Sequence, residues 1–272
     1  MGTGQTADSI SQRYVFDNAA EHAGARLRAL SEMFDPSTIR HLSERGVDQG
    51  WSCLEVGGGN GSIATWLSGR VGSTGRVLVT DIDTRFLQTV KRPNVEIRHH
   101  NIVTDALPEG VFDLVHSRLV LLHLPERDQA LRHMIAALKP GGWLVDEEFD
   151  SASLLADPVA NAGEVLPKTQ LAMMRLVEDR GVERRYGRQL LGRLRAQGLV
   201  AVGAEGRVLM WQAGTAGTSL MRANYLQLRA DMIDAGYINE EEFVEDLTRL
   251  EAADFLTLSP IMWTAWGRRF SA

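Results

Sequence analysis

The rhythm of apolar and polar positions along the chain changes near Trp51. Before it, "NAAEHAGARLRALSEMF" places Leu27, Leu30 and Phe34 at helical spacing, and "DPSTIRHLSERG" follows with an apolar face of its own. Two helices are predicted here, the second capped by Asp35, carrying Pro36 in its first turn and ending at Gly46. After Trp51, short apolar runs alternate with amphipathic ones. "SCLEV", "RVLVTDID", "VEIRHHNI", "FDLVHSRLVLL" and "WLVDEEF" read as strands. "SIATWLSGRVG", "TRFLQTVK" and "ERDQALRHMIAALKPGG" read as helices, the last closed by its Pro-Gly-Gly. Strands separated by helices require right-handed crossovers and a parallel sheet covered on both faces, so the pattern predicts a doubly wound, mostly parallel α/β fold.

Beyond residue 150 the pattern loosens and then returns. "YGRQLLGRLRAQG" reads as a helix, "LVAVGAEGRVLMW" as a strand and "SPIMWTAWGRRF" as a last strand. Two helical insertions, about 157–186 and 213–253, interrupt them and are candidate lids. The expected organisation is a helical cap over residues 1–50, a core over 51–150, and a remainder over 151–272 that completes the sheet and carries the insertions. A chain of 272 residues that is 44% hydrophobic can bury one sizeable core. Its net charge of -6 argues against a polyanionic partner such as nucleic acid. A lone cysteine, Cys53, excludes a disulfide within the chain and a cysteine-based zinc site, and suits the reducing cytoplasm. No apolar run approaches the ~18 residues of a membrane span, and "MGTGQTADSISQ" lacks a signal peptide's layout. The expectation is a cytoplasmic protein without a membrane partner.

The most specific local signal is "LEVGGGNGS", residues 54–62, which follows the first predicted strand. In an open parallel sheet the ligand crevice lies at the carboxyl ends of the strands, and the first strand-to-helix turn faces it. Gly57, Gly59 and Gly61 lack a Cβ, so the chain can bend tightly and bring N–H groups to a ligand. Asp81 ends the next strand roughly 20 residues on, the spacing at which a carboxylate accepts ribose hydroxyls. Capping of the following helix is the competing role for Asp81, and Asp83 can take it equally well. An adenosine-bearing ligand is implied. Ser62 stands where a pyrophosphate fingerprint wants glycine or alanine, and Glu55 puts a carboxylate near the crevice, so the pattern points away from a dinucleotide.

Five segments in order over residues 51–150 resemble the class I S-adenosylmethionine-dependent methyltransferases: "LEVGGGNGSIATWL", "VLVTDID", "HHNIV", "FDLVHSRLVLLHL" and "ALKPGGWLVDEEF". The opening "YVFDNAAEHAGARLRALSEMFDPST" and closing "SPIMWTAWGRR" are similar to a bacterial branch acting on small molecules, often in secondary metabolism. The resemblance implies a Rossmann-like core with S-adenosyl-L-methionine as cofactor. It places Gly57, Gly59 and Gly61 along the methionine and ribose, Asp81 on the ribose hydroxyls, and Ile82 and Ile102 on either side of the adenine. Asn101 stands where the family commonly has aspartate facing the adenine amino group, and its amide oxygen can accept the same hydrogen bond. The resemblance further puts Ser117 and Arg118 beside the cofactor, lets Glu55 act on its amino group through water, and assigns Tyr14 and Arg26 to a segment that closes over it.

The sulfonium methyl is already electrophilic, so such a protein needs chiefly to align a nucleophile in a dry pocket. A base helps only when the acceptor carries a proton. His116 and His123 flank the fourth-strand loop, and imidazole titrates near neutrality. In "DEEFD" the acids Asp146, Glu147, Glu148 and Asp150 are expected at the crevice mouth, as surface groups or, for Glu148, as a base. No metal is expected, because "HSR" stands where metal-dependent relatives need an aspartate. Met173, Met174, Met210, Met221 and Met232 fall between residues 160 and 235, where adaptable side chains suit an apolar cavity or plain core filling. Met173, Met174, Tyr186, Asn224 and Tyr225 are the candidate substrate residues. The function expected is methyl transfer to a small aromatic or apolar metabolite at O, C or N. The alternative is a cyclase that keeps the cofactor and does not consume it. A homodimer is the one protein partner expected.

Overall fold

In the computed structural model, which describes residues 15–16, 21–154 and 166–271, the apolar runs after Trp51 become strands. They are β1 (Ser52–Val56), β2 (Arg76–Asp81), β3 (Val95–His99), β4 (Phe112–Arg118) and β5 (Leu138–Asp150). β6 (Val200–Arg207) and β9 (Ile261–Arg268) complete a seven-stranded sheet in the order β3-β2-β1-β4-β5-β9-β6. The first five strands pair in parallel, and β9 lies antiparallel to both β5 and β6. This is the doubly wound, Rossmann-like, mostly parallel arrangement expected. The order reverses between β1 and β4, which places a topological switch point at their carboxyl ends. All five residues of β1 are buried, as a central parallel strand with both faces covered must be.

The helices are α1 (Ala23–Glu44), α2 (Ser62–Val71), α3 (Arg127–Ala137), α4 (Lys168–Asp179), α5 (Tyr186–Ala196), α6 (Ala216–Asp234) and α7 (Glu240–Arg249). Cys53, Val77, Val79, Leu114 and Val145 of the sheet form a core with Ile63, Ala64, Leu67 and Val71 of α2 and Leu42 of α1. Cys53 is fully buried and its thiol is free.

Two compact units interleave along the chain. The sheet unit comprises Phe34–Asp150, Arg184–Arg207 and Ile261–Ala272. The helical unit takes the described parts of Met1–Met33, Ser151–Glu183 and Val208–Pro260. Within the helical unit, β7 (Met210–Gln212) and β8 (Leu256–Leu258) pair antiparallel, and Leu176, Leu220, Leu228, Met232 and Phe243 are buried. A capping box starts α7, where Asn239 accepts from the Glu242 N–H and Glu242 returns the bond. Among the described residues no helix is long and apolar enough to cross a membrane.

Three expectations are corrected. The two N-terminal helices are one, α1, which runs through Pro36. Proline removes one backbone bond and costs ~3 kcal/mol inside a helix; burial of Phe34, Thr38 and Leu42 on either side of it offsets that loss. "TRFLQTVK" forms only a 3-10 turn, Arg85–Thr89, too short to propagate as an α-helix. Pro140, Gly141 and Gly142 lie inside β5, at a register shift against β4. A Cβ on Gly142 would stand 2.9 Å from the Phe112 carbonyl oxygen, so the strands could not approach there with any other residue.

Candidate active site

β1 ends at Val56 and the chain turns on Gly57, Gly59 and Gly61, whose φ angles are 72°, 55° and 78°. Those left-handed values explain the glycines directly. Space explains them too: a Cβ on Gly57 would stand 2.3 Å from Val120 Cγ2, and one on Gly61 2.2 Å from Val90 Cγ2. The Gly57 and Gly58 N–H groups both donate to the Thr80 carbonyl, which ties the turn to the end of β2. There Asp81 accepts the Gly59 N–H on Oδ2 and the Asp83 N–H on Oδ1, each at 3.0 Å. Each oxygen keeps a further lone pair, so the carboxylate can accept from a pair of vicinal hydroxyls. Burial raises the Asp81 pKa against these N–H bonds, an environment in which added donors strengthen the ionised form. Bare turn and acceptor together fit the ribose and methionine of S-adenosylmethionine.

Glu55 and His116, neighbours across β1 and β4, point to one face of the sheet. His116 is fully buried, with Nδ1 2.7 Å from Glu55 Oε2 and Nε2 3.3 Å from Glu147 Oε2. Burial alone would lower its pKa, but the two carboxylates more than reverse this and hold it at about 9. Burial likewise works to raise Glu147, and the hydrogen bond and charge of His116 outweigh it, bringing Glu147 to about 2. Thr264 donates to Glu147 Oε1 at 2.6 Å, and Thr38 donates to Oε2. Arg118 then reaches back to α1, with bonds of 2.9 Å to Thr38 Oγ1 and to Asp35 Oδ1. Both His116 nitrogens are engaged and protonated at neutrality, so this expected base has no lone pair to offer. Glu55 and Arg118, expected beside the cofactor, have their charged ends in this chain.

The opposite face of β5 carries the remaining acids, and they are not the surface groups expected. Asp146, Glu148 and Asp150 are, like Glu147 on the first face, at most 1% exposed. Ser117, itself buried, donates to Asp146 Oδ1 at 2.6 Å, while burial pushes Asp146 up to about 7. Glu148 Oε1 accepts three successive N–H groups, from Val120 at 3.1 Å, Leu121 at 2.6 Å and Leu122 at 3.4 Å. Burial, then the charge of Asp146, raises the Glu148 pKa well above the carboxylate range in spite of those bonds. As a base it is therefore blocked on one oxygen and enclosed on the other. Tyr186, an expected substrate residue, is fully buried at the start of α5, and the burial raises its pKa with help from Asp146 and Glu148. Among the described residues no group of three or more His, Cys, Asp or Glu side chains is placed to hold a metal ion.

The other expected residues fall as follows. Ile102 is buried and Ile82 half-buried beyond Asp81. Asn101 Oδ1 accepts the Val103 N–H at 2.9 Å, shaping the turn after β3 and leaving its NH2 group and one lone pair. His123 is half-buried in the 3-10 turn Leu121–His123 that follows β4. Tyr14 lies outside the described residues. Arg26 is buried in the helical unit, its guanidinium 4.8 Å from the Phe16 ring centroid. In that same unit Met173 and Met174 are half-buried on α4, and Asn224 Oδ1 on α6 is buried with no hydrogen-bond partner among the described residues. Tyr225 is fully buried and donates to Gln170 Oε1 at 3.0 Å, which fixes it as an internal tie between α6 and α4. Sequence reasoning missed Thr38, Val120 and Thr264. Only strand register and the packing of α1 bring them to the site, and no motif carries that information.

Comparison with known proteins bears on the same region. A family described as methyltransferase domain matches residues 54–146. The ubiquinone/menaquinone biosynthesis C-methyltransferase UbiE of Laribacter hongkongensis is 37% identical over 125 residues, which cover 43% of this chain and 51% of that protein. Its counterpart in Hahella chejuensis is 33% identical over 116 residues, 40% and 47% of the two chains. The chain thus spans about half the length of the curated relatives it matches. Among solved structures, the Haemonchus contortus phosphoethanolamine N-methyltransferase 2 in complex with S-adenosyl-L-methionine aligns with a TM-score of 0.59 and 15% identity, over 100% of this chain and 61% of that one. The YcgJ protein of Bacillus subtilis aligns with a TM-score of 0.56 and 16% identity, over 90% and 99%. At those identities the structures show a shared fold, and the family match shows a similarity confined to residues of the sheet unit. The stretch from β1 to β5 that carries the glycine turn, Asp81 and the buried acids is thus similar in sequence to a methyltransferase domain.

Proposed function

We propose that the protein transfers the methyl group of S-adenosylmethionine to a small, apolar or aromatic metabolite. The observation that carries this reading is the glycine turn with Asp81 at the switch point between β1 and β4, inside the stretch that matches the methyltransferase family. The bound cofactor would supply a methyl group already activated on a sulfonium. The turn through Gly57, Gly59 and Gly61 would face its methionine and ribose, Asp81 would accept the ribose hydroxyls, and Ile82 and Ile102 would flank the adenine while Asn101 meets its edge. His116 and Glu148 being enclosed, His123 is the group we assign to accept a proton from an acceptor that carries one. A preformed anion would need no such help.

The names of the curated relatives favour a ring carbon of a quinone-like aromatic as acceptor, with oxygen and nitrogen as the other outcomes. The resemblance of the opening and closing segments to bacterial small-molecule enzymes supports a place in secondary metabolism, and the buried free thiol of Cys53 suits the cytoplasm. Incubation with methyl-labelled cofactor and a panel of quinols, phenols, acids and amines tests the proposal. Label should pass to one class of acceptor. Rearranged product with the cofactor unconsumed would replace methyl transfer with cyclisation on the same fold.

A further inference from the structure

Past the end of β4 the chain adopts a conformation that its residues do not favour. Leu119 has a φ of 56°, a left-handed value that a residue with a Cβ adopts only under strain. Two anchors on β5 hold it. The Leu119 N–H donates to the Glu147 carbonyl at 2.8 Å, and the next three N–H groups converge on the single oxygen Glu148 Oε1. β5 is itself pinned at that point, because a Cβ on Gly187 of α5 would stand 2.5 Å from the Glu148 carbonyl oxygen. The strained turn carries Val120, and Val120 is the side chain that fills the space beside Gly57. A continuous path therefore runs from a β5 carboxyl through the β4 turn to the glycine turn of β1.

We propose that Glu148 is a positioning residue for cofactor binding: by gathering the N–H groups of residues 120–122 it sets Val120 against Gly57 and so fixes the wall of the glycine turn. This rests on the methyltransferase reading. It assigns to Glu148 a role opposite to that of a base, since what matters is an oxygen that accepts and not one that takes up a proton. Glutamine keeps such an oxygen, whereas alanine and methionine do not.

The test compares wild type, Glu148→Gln, Glu148→Ala and Glu148→Met by calorimetric titration with S-adenosylmethionine, by amide hydrogen exchange without cofactor, and by methyl transfer. Alanine should weaken cofactor binding about 10-fold or more and speed exchange of amides 120–122 above that of the β1 and β4 amides. Methionine, which fills the space, should do the same and stands in if alanine unfolds the protein. Glutamine should rescue binding, exchange protection and transfer to near the wild-type level. Wild-type affinity in the alanine and methionine variants would overturn the proposal, as would a glutamine variant that binds normally and has lost transfer, which is the signature of a base. Failure of the wild type itself to bind S-adenosylmethionine would overturn the proposed function, and the exchange of amides 120–122 would still report whether Glu148 holds the turn.

Discussion

The half-buried Asp81 and the fully buried His116 show how differently two ionisable groups can serve one site. Asp81 has one N–H on each oxygen and the capacity for more, so its role depends on what binds. On the proposed function Asp81→Ala would remove two charge-assisted bonds to ribose and should weaken S-adenosylmethionine binding about 10- to 100-fold in a calorimetric titration, with Asp81→Asn in between. His116 is already complete, an imidazolium between two carboxylates. Its folded pKa of about 9 lies above the ordinary 6.5, so the stability it contributes is fully present below pH 6.5 and fades as pH rises through 9. Urea unfolding at a series of pH values should show that decline in the wild type and a flatter profile in His116→Gln. Removing the cation leaves Glu55 and Glu147 facing each other in the interior, a loss on the order of 3–5 kcal/mol. The glycines and Asp81 were legible in the sequence because a bare turn followed by a strand-end acid is a local pattern. His116 was legible only as a titratable group near the loop. Its pairing with Glu147 depends on β4 and β5 being neighbours, which makes it a fixed charge where local sequence suggested a base.

At the scale of elements, the five parallel strands and β9 were readable, whereas "LVAVGAEGRVLMW", read as one strand, divides into β6 and β7 in different sheets, and the short β8 was not foreseen. The errors came where tertiary packing overrode a local signal. Asp35-Pro36 looked like a helix start, yet the helix continues because its two halves have apolar faces in one register, and Asp35 has its carboxylate on Arg118 instead of a cap. Pro36→Ala restores a backbone donor and should stabilise the protein by about 1–3 kcal/mol in thermal unfolding, whereas an unchanged or lower midpoint would mean that α1 needs the break. The glycine turn allows the opposite experiment. Gly57→Ala adds a methyl group at a φ of 72° and 2.3 Å from Val120, so it should reduce cofactor affinity at least as much as loss of the Glu148 acceptor. Adding Val120→Ala should recover only part of it, because the backbone strain stays.

For the whole molecule, the sheet unit holds all that the family match describes, and the matched stretch is about a third of the chain. The cofactor was therefore readable from sequence while the acceptor was not. Methyl transfer asks for alignment more than for dedicated catalytic groups, and alignment leaves no motif. Tyr225 illustrates the limit: an aromatic with a polar tip in an insertion is a reasonable substrate contact until its hydroxyl is found bonded to Gln170 in the interior. The central claim is that the turn after β1 and Asp81 bind S-adenosylmethionine. Calorimetric titration of the wild-type protein and Asp81→Ala with S-adenosylmethionine tests it most directly. The wild type should bind one equivalent saturably and the variant about 10-fold or more weakly; absence of binding to a folded wild type, or equal affinity in the two proteins, would mean that this turn is not the cofactor site.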